Sequence, residues 1–145
     1  MNLPATLLVL GFTAAASCAD SIEPSFAAHG RLIIAPFVSA PFPHISRTNG
    51  HIYKNNHHPK DKHYSDSSVA LFIPNGFRES SRMDFIVHFH GWRNTVTGTL
   101  EQFKLIEQLT ASGRNAVLIV PQGPRDAPDS GGGKLEETRG FMHFM

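Results

Sequence analysis

Cysteine is all but missing, with Cys18 the only one in 145 residues. An exported chain cut after Ala19 would keep none, which excludes disulfides, a cysteine nucleophile and a Cys-ligated zinc site together. Neither sign of charge is in excess: 13 Lys and Arg oppose 12 Asp and Glu, a formal net charge of +1. No field strong enough to attract nucleic acid or an anionic membrane surface follows from that balance. The longest apolar run, Leu7 to Ala16, is too short for a bilayer, where a helix needs ~20 apolar residues, so no membrane span is expected. No G-x-S-x-G is present anywhere.

What is present begins with that amino-terminal run. Small residues follow it and Ser17-Cys18-Ala19 precedes Asp20, as in a secretory leader with its cleavage site, so residues 1–19 are expected to be a signal peptide and the protein secreted or periplasmic. The leader lacks Lys and Arg near its start. A lipid anchor on Cys18 is the second reading. Residues 20–66 form an amino-terminal extension, with Arg31-Leu32-Ile33-Ile34-Ala35 as an edge strand and His44 to Asp66 as a polar, turn-rich connection. Five of the nine histidines fall in that connection, and His57, His58 and His63 are spaced as a solvated loop rather than as metal ligands.

From 67 to 145 the order is clearer. Ser68 to Ile73 is β-rich and stopped by Pro74-Asn75-Gly76. Asp84-Phe85-Ile86-Val87-His88-Phe89-His90 is nearly all apolar, as a strand buried on both faces of a parallel sheet would be. A helix is expected from a Thr99 cap, with Gln102 completing a capping box and Ser112-Gly113 closing it. Ala116 to Val120 is a second buried strand. Strand, helix, strand makes a right-handed βαβ unit with parallel strands. Ligands gather at the carboxyl ends of such strands, which singles out His90 to Val96 and Gln122 to Glu137.

Phe85 to Trp92, the helix to Gly113, and Asn115 to Pro124 resemble the third strand, first helix and fourth strand of secreted α/β-hydrolases, nearest the esterases that include polyhydroxyalkanoate depolymerases and feruloyl esterases. The resemblance covers about half the chain, Ser68 to Gly123. It implies an α/β class and a partial α/β-hydrolase fold, a mostly parallel sheet with a βαβ unit, reaching the carboxyl terminus before any nucleophile elbow. It implies a serine esterase acting on small or polymeric carboxylic esters, without cofactor or metal. The backbone N–H groups at Gly91 and Trp92 would form the oxyanion hole, and His90 would orient that loop. Gln122, Arg125, Asp126 and Asp129 would bind substrate. The triad would lie beyond these residues, because Ser130-Gly131-Gly132-Gly133 follows no apolar strand and is a loop rather than an elbow. The 145 residues alone are then expected to be inactive and to expose an unpaired strand edge. Two alternatives stay open: a non-catalytic hydrolase-like module binding a polar ligand through 122–137, and a metal site on His88 and His90, which strand alternation places on one face.

Overall fold

The computed structural model describes residues 22–145, so the expected signal peptide and Cys18 lie outside the described residues. Among the described residues six strands form: β1 Gly30–Pro36, β2 His51–Tyr53, β3 Asn56–His58, β4 Ser68–Pro74, β5 Asp84–Val87 and β6 Ala116–Pro121. Four short helices accompany them: α1 Lys60–His63, α2 Val96–Gln102, α3 Leu105–Ser112 and α4 Gly140–Phe144.

The main sheet runs β1-β4-β6-β5. β1 pairs antiparallel with β4 over seven residues, Gly30 opposite Pro74 through Pro36 opposite Ser68, and β4 pairs antiparallel with β6. Only β5 and β6 are parallel. The expected α/β, mostly parallel sheet is therefore overturned: the architecture is α+β, a mainly antiparallel four-stranded sheet plus the β2-β3 hairpin. One short crossover of helix is enough to make one parallel pair. Hairpin and loop connections elsewhere leave their strands antiparallel.

Alternation along β1, β4 and β6 divides the core between the two faces. Leu32, Ala70, Phe72, Leu118 and Val120 pack with Leu100, Ile106 and Leu109 of α2 and α3. Val69 and Ile119 face the other way, onto Ala40 and Phe144 of α4. Each Leu, Val or Phe so enclosed contributes ~1.5–3 kcal/mol, which is why β4 and β6 define the fold's centre.

Three local expectations are corrected. The strand expected from 84 to 90 ends at Val87 and is an edge: Phe85 is 46% and Ile86 42% exposed, because β5 has a neighbour on one side only among the described residues. The helix expected from Thr99 starts at Val96, capped by Thr95, whose Oγ1 accepts the Gly98 N–H at 3.0 Å. Thr99 is buried, and Gln102 Oε1 instead accepts from Asn94 Nδ2 at 3.1 Å. Lys104, at φ 48°, then breaks the run into α2 and α3, and Gly113, at φ 64°, closes α3 as expected. Finally, the polar connection 44–66 is structured. Its hairpin turns on Lys54 and Asn55, both at positive φ, as the tight two-residue turns of hairpins require.

Candidate binding cleft

The loops leaving β5 and β6 at their carboxyl ends are tied together before either reaches solvent. Arg93 N–H donates to Ala127 O at 3.0 Å, and Asp126 N–H donates to Asn94 O at 3.0 Å. Arg93 and Asp126 sit at positive φ, 52° and 46°, so both loops bend where they meet. A second tie runs through a side chain. Gln122, buried at the end of β6, accepts the Val96 N–H on its Oε1 at 3.0 Å, which turns its amide nitrogen toward His90.

His90 Nε2 then receives two N–H groups, Gln122 Nε2 at 2.7 Å and the Gly123 backbone at 2.9 Å. That nitrogen must be bare, and the proton sits on Nδ1, which donates to Gly91 O at 2.9 Å. Burial lowers the His90 pKa and His88 lowers it further, against the Gly91 carbonyl, so the ring is neutral. Both nitrogens are committed. A proton acceptor for chemistry or a metal ligand would need one of them free.

Beside this clamp opens a cleft of about 370 Å³, whose apolar lining is Pro41, Phe89, Pro121, Pro124 and Leu135 and whose remaining lining is Asp129, Ser130, Gly131, Gly132 and Glu136 together with His90 and Gly123. The 129–136 wall is held from below. Arg47 grips Asp129 with both arms, Nε to Oδ2 at 2.6 Å and Nη2 to Oδ1 at 3.0 Å, while Gly131 N–H donates to Asp129 Oδ1 at 2.9 Å. Burial alone would raise the Asp129 pKa, but these bonds hold it at about 2, and the same pairing raises Arg47. Tyr64 lies beneath, its hydroxyl pushed up by burial and by the Asp129 charge, with the Arg47 guanidinium 5.9 Å from its ring centre. Farther along, Lys134 N–H donates to Pro41 O at 3.0 Å; Gly133 is there at φ 54°, and a Cβ would meet Pro41 O at 2.1 Å, so no larger residue fits.

Of the expected substrate residues, only Asp129 lines the cleft, and its charge is neutralised by Arg47. Gln122 is buried behind it as a brace. Arg125 pairs outward with Asp66 at 2.9 Å, and Asp126 serves the loop clamp. Gly91 and Trp92 stand outside the lining; Trp92 is 52% exposed, and its indole N–H donates to Ser130 Oγ at 2.6 Å. His88 and His90 diverge, His88 against Phe103 at 6.0 Å and His90 against Gln122, because β5 ends at Val87 and only His88 still bonds to β6, through Ile119 O. His58 and His63 meet edge to face at 5.1 Å, and desolvation, then His63 and Arg93 beside it, lower the His58 pKa. Among the described residues no three His, Cys, Asp or Glu are grouped to hold a metal ion. No helix among them is long and apolar enough to cross a membrane.

Sequence reasoning set Ser130 aside as part of a loop rather than an elbow, and it gains a place here through Trp92; Arg47, Tyr64 and Pro41, which support the wall from more than sixty residues away, were passed over. Only the exit of β6 at Pro121-Gln122-Gly123 and the glycine-rich loop that holds Asp129 carried a local signal. Comparison of the chain with protein-family models, with curated proteins and with solved structures finds no match.

Proposed function

We propose that this chain carries the ester-binding part of a serine-esterase-like site, and that alone it binds short carboxylic esters without hydrolysing them. The carrying observation is Ser130. Its Oγ already accepts the Trp92 indole N–H, so its own proton is free to be donated to a ligand oxygen beside an apolar trough. Arg47 compensates the Asp129 charge, and Glu136, the other carboxylate of the lining, accepts the Gly132 N–H at 2.6 Å. A neutral molecule with an acyl tail and a carbonyl suits that lining better than an anion does, since apolar walls with a few placed donors are the usual design for such ligands. The Trp92 backbone N–H, turned by Gly91, is proposed as a second donor that closes on the carbonyl once ester is bound.

Hydrolysis needs an activated nucleophile, and this chain assembles none among its described residues. Ser130 has no imidazole at hydrogen-bonding distance, and both His90 nitrogens are engaged elsewhere. The marginal position of β5 weighs against a self-contained active site and in favour of this narrower, binding role. Cofactors have no part in it.

Trp92 is the sole tryptophan, so its fluorescence reports on the cleft. Titration with ethyl butyrate should give a saturable change, which Ser130→Ala weakens, while p-nitrophenyl butyrate is hydrolysed at the buffer rate. An unresponsive Trp92 at millimolar ester defeats the binding claim. Turnover well above buffer defeats the claim that no nucleophile is assembled.

A further inference from the structure

We infer that the free edge of β5 is self-complementary, and that two copies of this chain pair through it, antiparallel, about a two-fold axis. This goes beyond ester binding and does not depend on it. His88 N–H donates to Ile119 O at 2.9 Å, continuing the parallel β5-β6 ladder. The two-residue alternation of such a ladder gives Asp84, Ile86 and His88 to β6 and turns the N–H and C=O groups of Phe85 and Val87 outward, where no strand meets them among the described residues. Unsatisfied backbone on an apolar edge is a template for another strand.

The side chains specify which strand. Set Ile86 against its own copy on the two-fold, and Phe85 falls opposite the partner's Val87. These are the residues whose free groups point outward, so each pair exchanges two hydrogen bonds and the ladder gains four by symmetry. The same register places Asp84 opposite the partner's His88 at both ends. Among the described residues neither makes an ion pair of its own. A carboxylate directly across a ladder from an imidazole N–H donor favours the pairing, and like charge opposes it. Met83, at 46%, and Phe89, at 52% exposed, come opposite one another at the flanks and gain cover. Ile86 and His88 also line a groove of about 290 Å³ against Leu105, Gln108 and Leu109 of α3, which the axis makes continuous between the copies. A slip by one residue would set outward groups against inward ones, and a slip by two, which keeps the outward groups paired, would part Asp84 from the partner's His88.

Sedimentation of the chain at micromolar concentration should give one dimeric species in reversible exchange with monomer. Val87→Pro removes an N–H that bonds nothing in the single copy, and Ile86→Lys sets two ammonium groups face to face on the axis. Each should raise the dissociation constant tenfold or more, equivalent to about 1.4 kcal/mol, with the far-ultraviolet dichroism of the monomer unchanged. Asp84→Lys should weaken the dimer, and Asp84→Lys combined with His88→Glu should restore it. A monomeric wild type, polydisperse aggregation, a dimer indifferent to both Val87→Pro and Ile86→Lys, or failure of the charge reversal to restore pairing would each overturn the inference. Ester binding read at Trp92 is expected to be the same in monomer and dimer, so the two ideas fail separately.

Discussion

β5 and β6 read alike as sequence, Asp84-Phe85-Ile86-Val87 against Ala116-Val117-Leu118-Ile119-Val120, and they pair with each other over four residues. Their surroundings are opposite. β6 has a strand on each side and helices or loops on both faces, and Leu118 and Val120 are almost fully enclosed. Among the described residues β5 has one neighbour, and Phe85 and Ile86 are nearly half exposed. An apolar run is evidence for a strand, but its place in the sheet is decided by partners elsewhere in the chain.

That contrast can be broken most severely in the centre. Phe72→Ala beside β6, or Leu118→Ala within it, should cost about 3–5 kcal/mol by denaturant unfolding, through lost burial and the cavity left behind. Phe85→Ala should cost less than about 1 kcal/mol in the monomer, since much of the ring is already in water. Equal losses at Phe85 and Leu118 would erase the distinction between edge and centre.

The Arg47-Asp129 pair comes next. Asp129, held at about 2 against an ordinary 3.8, stabilises the fold fully above the unfolded-chain value and loses that contribution as pH falls through its folded value. Asp129→Asn should therefore lose about 2 kcal/mol at pH 7, and the gap to the wild type should close between about pH 4 and pH 2. A gap independent of pH would mean that the carboxylate is not the gripping group.

Of similar size is the His90 clamp. His90→Ala leaves the Gly123 N–H and the Gln122 amide without their acceptor and should cost about 1–3 kcal/mol. The neutral ring is what the fold requires. Its lowered pKa means that the contribution is complete above the unfolded histidine value and declines as pH falls toward the folded one. The smallest effect separates the two edges of β5 itself: amide exchange at Phe85 and Val87 should be far faster than at Ile86 and His88, provided the protein is monomeric.

How much of this was legible beforehand follows from the range of the interactions. β4, β6 and the turn at Gly113 were readable because local pattern and a glycine at positive φ suffice. The break at Lys104 was not, as nothing in Phe103-Lys104-Leu105 disfavours helix; packing of α2 and α3 on the sheet imposes it. Sheet direction was misjudged because one βαβ unit was extended to every strand, while β1 and β4 are joined by a connection that holds a hairpin of its own. In the cleft, Asp129 was found from the composition of a glycine-rich loop. Its partners Arg47 and Tyr64 had no local signature at all. Gln122 was assigned to substrate, and its role as a brace follows from Val96 and His90, both brought to it by the fold.

Backbone amide shifts test the binding claim most directly, because the sheet supplies its own control. Gly123, Gly131 and Gly132 line the cleft at the carboxyl end of β6, whereas Gly76 and Gly113 border a small depression at the opposite end. Titrated with ethyl butyrate, the first three should move saturably with a common midpoint while the last two stay still. Shifts absent from all five, or equal at both ends, would contradict an ester site at this cleft.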